Sequence, residues 1–284
     1  SFMPMECGAV RDGGTFQERF RSFATLSFSA SGHTLSLEQI DGESCSGESM
    51  QSAVWDGGEL LAEYMQDPAV FPHDFWLGKH VLELGSGCGT CGLMAAQLGA
   101  AHVYLTDLPP LVPLLERNAH RNGLADATSA CALEWGTPLP SGSFGKLDVI
   151  IGSEITCFIQ DLQLLVSTVE QLTASSRASI LIAHRDRGDC AHVLQAFGGA
   201  FFIEKLAASR GDPTVLIYRM HRRDCIVDGS SFEGPAYSEF GRSQWVSCEC
   251  EIAPPVACSA EEEAIARAHT GDLSLLKKMF QGER

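Results

Sequence analysis

The 284-residue sequence predicts an α/β protein: a seven-stranded, mostly parallel sheet with helices on both faces and an antiparallel final strand pair. Three observations carry this. From Ser52 onward, short apolar runs alternate with stretches of helical period. Those runs lack a polar face, as strands of a sheet covered on both sides require. The last two runs follow each other with no helix between them, so they pair antiparallel at one sheet edge.

The elements follow in order. The first fifty residues are polar and in places rich in Gly and Ser (DGESCSGESM). Within them, FATLSFSASGHTLSLEQI alternates as a β-hairpin does. AVWDGGELLAEYM has apolar residues at helical spacing, with Asp56 placed as N-cap. HVLELG is the first core strand, and CGLMAAQLGA is a helix that Gly99 stops. HVYLTD is a second strand ending in a carboxylate, followed by the helix LVPLLERNAHRNG with Gly123 near its end. ATSACALEW and LDVIIGS are the third and fourth strands. DLQLLVSTVEQL is a helix with Asp161 in its first turn, and ASILIAH is the fifth strand. CAHVLQAFGG is a helix, and FFIEKLAAS and PTVLIYRMH close the sheet. The core therefore runs from about Gly78 to Met220. Beyond His221 the period stops, and residues 224–259 hold Gly, Pro, Ser and four cysteines. EEEAIARAHTGDLSLLKKMF reads as a helical pair, which cannot bury its own apolar face and is expected to dock on the main domain. The expected organisation is an N-terminal extension with a β-hairpin (1–51), the α/β domain (52–222) and an irregular Cys-containing segment with a C-terminal helical extension (223–284).

Composition excludes several roles. The net charge is −16, so the surface repels nucleic-acid phosphates and suits a basic protein partner. No apolar run approaches the roughly 20 residues of a membrane helix, and the first residues lack a basic-then-apolar leader pattern. The expectation is a soluble monomer in the cytoplasm, with the nucleus also open. Eleven cysteines, an odd number scattered from Cys7 to Cys258, fit reduced thiols better than a disulfide framework. His221, Cys225, Cys248, Cys250 and Cys258 cluster in the tail, but not in paired CxxC spacing, and no metal site is expected.

Residues 82–92, LELGSGCGTCG, place four glycines after an apolar strand. Glycines let backbone approach a ligand and leave amide N–H groups free at a helix start. One register, Gly87 to Gly92, is a formal GxGxxG with Asp107 about 20 residues on, as a dinucleotide site has. Its first glycine, however, does not directly follow the strand. The other register begins at Glu83 and places a carboxylate at the strand end, suited to the amine of S-adenosylmethionine directly or through water. Asp107, where a ribose would lie, serves both. A third reading is a redox pair, Cys88 and Cys91, activated by the helix dipole.

From about Ser52 to Met220 the chain resembles the seven-β-strand (class I) methyltransferases, specifically the methyltransferase-like group that methylates lysines of non-histone proteins. Four segments carry the likeness: Ala53-Val-Trp-Asp56, the stretch from Val81 to Gly89, Leu133-Glu-Trp-Gly136, and Asp148 to Phe158. The resemblance implies a Rossmann-like sheet and S-adenosylmethionine as cofactor. It implies cofactor contacts at Trp55, Glu83, Gly85, Ser86, Gly87, Asp107, Leu108, Trp135 and Ser153, with Trp135 beside the adenine. It also implies a protein substrate whose target side chain is held by the motif after the fourth strand. There the family has an acid, two variable residues and tyrosine, whereas this chain has Glu154-Ile-Thr-Cys157. Glu154 retains the acid and Cys157 replaces the phenol. Lysine transfer is the leading reading; a scaffold that binds cofactor without transfer, and a different acceptor, stay open beside it. His184, Arg185 and Arg187 are expected as a solvated rim of the acceptor site.

Overall fold

A computed structural model describes residues 23–28, 32–39, 53–156, 162–174, 176–188, 190–206 and 214–225. Strands β1 (Phe23–Phe28) and β2 (His33–Glu38) form the N-terminal hairpin. The main sheet contains β3 (His80–Leu84), β4 (His102–Asp107), β5 (Thr128–Ala132), β6 (Val149–Ser153), β7 (Ser179–Arg185), β8 (Phe201–Lys205) and β9 (Val215–Arg222). Among the described residues five α-helices accompany them: α1 (Asp56–Tyr64), α2 (Thr90–Gln97), α3 (Val112–Arg121), α4 (Leu162–Thr173) and α5 (Cys190–Gly198).

The strand order is β5-β4-β3-β6-β7-β9-β8. Strands β3 to β7 run parallel, while β9 is antiparallel to both β7 and β8. The closing antiparallel pair is thus as expected, and β9 inserts between β7 and β8. An antiparallel return from β8 to β9 needs no crossover helix, which makes this possible.

Alternate residues of each strand serve the two faces. Val81, Val149 and Ile151 join one core cluster with Leu61 of α1, Leu93 of α2 and Leu115 of α3. Leu82, Leu84 and Ile150 join the other with Leu165 of α4 and Phe197 of α5. Each such fully buried aliphatic side chain contributes about 1.5–3 kcal/mol. Leu35 and Leu37 of β2 are fully buried in the first cluster, so the hairpin's second strand shares the core of the α/β domain.

One local expectation differs from the structure. Asp56 is the first residue of α1 and Trp55 holds the cap position, its carbonyl receiving the Gly58 and Glu59 N–H groups. Asp56 still meets the positive end of the helix dipole, and its carboxylate serves Arg185 instead of capping. Gly99 (φ 96) and Gly123 (φ 68) do stand just beyond α2 and α3. Asp161, the C-terminal helical pair and the tail cysteines beyond Cys225 lie outside the described residues.

Candidate functional site

From β3 the chain moves to β4 on one side, and β6 lies on the other. The carboxyl ends of these strands flank the topological switch point, where open α/β sheets bind ligands. The loop after β3 lies there. Gly85 (φ 58), Gly87 (φ 54) and Gly89 (φ 84) all occupy the left-handed region. A Cβ on Gly85 would lie 2.8 Å from Ile155 Cγ2 and 3.2 Å from Trp135 Cζ2. Ser86 N–H donates to the Thr106 carbonyl (3.0 Å), and Gly89 N–H donates to the Ser86 carbonyl (2.6 Å). The loop is thus a fixed turn against β4.

Glu83 is 1% exposed and lies behind this loop. Its Oε1 receives the Cys91 N–H (3.1 Å), in the first turn of α2. Burial pushes its carboxyl up to about 8, and the nearby Gly92 amide, Ser86 hydroxyl and Cys91 amide offset only part of that. Gly92 makes this approach possible, since a Cβ there would lie 2.7 Å from Glu83 Oε2 and 2.3 Å from Leu105 Cδ2. Glu83 therefore shapes the loop from beneath it.

Asp107 ends β4 and is 8% exposed. Its Oδ2 receives the Gly87 N–H and its Oδ1 the Leu108 N–H, each at 2.7 Å. Desolvation raises its pKa, and these two hydrogen bonds act in the opposite sense. Leu108 is half exposed beside it, and Trp135 sits across Gly85. Trp55 and Trp135 are both partly buried, whereas Trp76 is a core residue that donates to the Met65 carbonyl (2.9 Å). Ser153 ends β6, its Oγ 3.3 Å from where a Gly58 Cβ would stand. Glu83, Gly85, Ser86, Gly87, Asp107, Leu108, Trp135 and Ser153 thus converge on neighbouring strand ends, with Trp55 at the start of α1.

Glu154 follows directly, buried and with φ 56, a conformation rare for a residue with a side chain. Its N–H donates to the Ala183 carbonyl (3.0 Å), tying the strained turn to β7. A Cβ on Gly57 would lie 2.3 Å from Glu154 Oε1, so the carboxylate rests against the start of α1 where only glycine leaves room. Arg187 Nη1 donates to Glu154 Oε2 (3.0 Å) and to the Arg185 carbonyl (3.2 Å). The two side chains of this pair are 5% and 8% exposed. Cys157 lies outside the described residues.

The expected solvated rim is therefore not one. Arg187 is buried on Glu154. Arg185 pairs with Asp56 (2.9 Å). His184 is fully buried, its Nδ1 2.6 Å from the Thr156 hydroxyl. Sequence spacing concealed this because residues 154 and 187 are brought together only by the β6–β7 pairing. A usable signal was the Gly57-Gly58 pair at a helix start, where glycine is costly unless something packs closely.

The redox reading loses its chemical basis at Cys91. That thiol is fully buried, burial raises its pKa well above the usual value, and its Sγ lies 3.3 Å from the Gly58 carbonyl. A dipole-activated thiolate needs the opposite environment. Among the described residues no group of three or more His, Cys, Asp or Glu side chains is arranged to hold a metal ion, and no helix is long and apolar enough to cross a membrane.

A sequence profile for the family described as "Lysine methyltransferase" matches residues 31–197. "EEF1A lysine methyltransferase 3" of Mus musculus is 32% identical over 204 residues, covering 70% of this chain and 82% of that protein. "Protein-lysine N-methyltransferase EFM6" of Saccharomyces cerevisiae is 33% identical over 159 residues, covering 47% of this chain and 63% of that protein. Among solved structures, magnesium protoporphyrin IX methyltransferase from Synechocystis PCC 6803 aligns with a TM-score of 0.45 at 16% identity, covering 58% of this chain and 80% of that one.

Proposed function

The chain belongs to the lysine methyltransferase family and is a protein-lysine methyltransferase, and we propose that the loop at 85–89 holds S-adenosylmethionine while Glu154 orients the acceptor lysine. One observation carries this reading. The glycine loop after β3 and the strained acid after β6 stand on adjacent strands that flank the switch point.

The residues fit that cofactor. The Gly85 cradle, which a Cβ would fill, is walled by Trp135, a flat aromatic suited to adenine. Asp107 is a nearly buried carboxylate with lone pairs suited to a ribose diol. Leu108 and Trp55 complete the apolar surround, and Ser153 closes it toward α1. When bound, S-adenosylmethionine supplies a methyl group activated on a sulfonium.

The protein's own task is alignment and proton control. The Glu154 turn is fixed by the Ala183 carbonyl and its carboxylate by Arg187. That pair is net neutral, so it presents an oriented acceptor for an amine N–H and not a bare anion. It therefore spares the neutral amine, the form that attacks, the penalty that a bare carboxylate would impose. Cys157 supplies no phenol, which places more of the orientation on Glu154.

The net charge of −16 supports a basic protein substrate. The name of the mouse relative makes EEF1A the first candidate acceptor to test. We further propose a cytoplasmic monomer that acts on protein and not on nucleic acid. The test has two arms. Calorimetry compares S-adenosylmethionine with NAD, and the reading requires binding of the former alone. Transfer of labelled methyl to EEF1A and to a cell lysate is then mapped by mass spectrometry. Label on any side chain but lysine, or cofactor binding with no transfer to any protein, overturns the proposed chemistry.

A further inference from the structure

Among the described residues, the hairpin strand β2 pairs with β1 along one edge only. Along its other edge the backbone is met by side-chain amides from two helices. Gln97 Nε2 donates to the Thr34 carbonyl (3.0 Å). Asn122 receives the Ser36 N–H and donates to the Ser36 carbonyl, both at 2.9 Å. Asn118 receives the Glu38 N–H (2.7 Å) and donates to the Glu38 carbonyl (3.0 Å). Residues 34, 36 and 38 are alternate strand positions, so these amides replace a neighbouring strand. Asn118 on α3 and Asn122, the residue that caps its C-terminus, lie one helical turn apart, which gives them the spacing to do so.

Asn118 differs from the other two. Its Nδ2 also donates to the Cys88 carbonyl (3.0 Å), inside the glycine loop. It is fully buried, and these three bonds use its acceptor and both donors. The Cys88 carbonyl belongs to the peptide that leads into Gly89, the left-handed cap of α2. On the same helix, Leu115 Cδ2 lies 3.3 Å from where a Gly89 Cβ would stand, so α3 is already in close contact with that turn. The hairpin also reaches the other wall of the pocket. Gln39, nearly buried just after β2, receives the Val54 N–H (2.7 Å), immediately before Trp55.

We infer that the N-terminal hairpin is a working part of the cofactor pocket, and that Asn118 is the positioning residue that transmits its seating to the glycine loop. This rests on the reading of loop 85–89 as the cofactor site. Asn118 orients the Cys88–Gly89 peptide while gripping β2, so the hairpin and the loop are set by one side chain. Asn122 grips β2 without touching the loop and serves as the internal control.

The experiment compares Asn118→Leu and Asn122→Leu in the full chain. Each is measured for its thermal midpoint and for S-adenosylhomocysteine affinity by calorimetry. Both variants should lower the midpoint, because both uncap a strand edge. Only Asn118→Leu should weaken S-adenosylhomocysteine, by about tenfold or more, and Asn122→Leu should stay within about twofold of the wild type. In hydrogen exchange, the loop amides of Gly87 and Gly89 should lose protection in the first variant alone. If Asn118→Leu fails to fold, Asn118→Asp retains the acceptor for Glu38 N–H and removes the donor to Cys88, and takes its place. Equal effects of the two positions on affinity, or none at either, overturn the inference. Failure of the wild-type chain to bind S-adenosylhomocysteine refutes the cofactor reading instead.

Discussion

Replacing Glu83 with glutamine should make the free protein more stable at neutral pH, not less. Glu83 is 1% exposed and its pKa is pushed to about 8, against about 4.5 unperturbed. The folded state thus retains a proton that the unfolded chain releases. Where the native state binds more protons, stability falls as pH rises. The sign is that of a raised acid: full stability below about pH 4.5, progressive loss up to about pH 8, and no further change above. Between about pH 5.5 and 7.5 the two titration curves differ by nearly one proton, which amounts to about 2–3 kcal/mol. Glutamine keeps the oxygen that receives the Cys91 N–H and cannot ionise. Urea unfolding of the wild type and Glu83→Gln at several pH values checks this. The difference between the two should grow by about 2–3 kcal/mol over that window, while contributions from the other acidic groups cancel. Parallel stability curves, or a variant that loses ground as pH rises, would show that Glu83 is ionised in the fold and refute the reasoning.

Three further outcomes are expected. Arg187→Met leaves a buried carboxylate without its guanidinium and should cost about 3–5 kcal/mol in urea unfolding, most of which Arg187→Met with Glu154→Gln should restore. Gly57→Ala puts a methyl 2.3 Å from the present position of Glu154 Oε1, so it should slow methyl transfer on the order of 10- to 100-fold while S-adenosylhomocysteine affinity is kept. Gly85→Ala combines a left-handed φ of 58 with contacts of 2.8 and 3.2 Å to Ile155 and Trp135, and should weaken cofactor binding and lower stability, the backbone strain alone being about 1–2 kcal/mol.

The parallel sheet was legible because its strands are apolar on both faces, and the closing pair because no helix separates β8 from β9. The insertion of β9 between β7 and β8 was not, since period and spacing do not report strand order. The glycine loop was legible because left-handed backbone leaves a mark in composition. Glu154 was found from the family pattern, but its strained φ and its Arg187 partner were not. Residues 154 and 187 meet through the sheet, and a lone arginine after a strand looks like any solvated rim. Asn118 is the same case, 30 residues from the carbonyl it holds. A half-buried aromatic also carries no label in the sequence. Trp55, Trp76 and Trp135 were separable only by motif, and the structure sends Trp76 to the core.

The Glu154–Arg187 pair also bears on the proton that a lysine must lose before it attacks. A free lysine, with a pKa near 10.4, pays about 4–5 kcal/mol to be neutral at pH 7. A bare carboxylate about 4 Å away would add roughly 1–4 kcal/mol to that, because it stabilises the ammonium. The guanidinium at 3.0 Å cancels most of this field. Asp56 and Arg185 form a second neutral pair beside it, so they add little net charge of either sign. Arg187→Lys keeps the charge and should hold the rate-versus-pH limb near its wild-type position. Arg187→Gln removes the charge and should move that limb to higher pH, with rates converging at the alkaline end. Glu83 titrates in all three proteins, so its contribution divides out of the ratios. Methyl incorporation at saturating cofactor, measured across the alkaline range, gives the answer. A uniform loss at every pH, with the limb unmoved, would mean that Arg187 merely holds the fold and that the acceptor's proton is governed elsewhere.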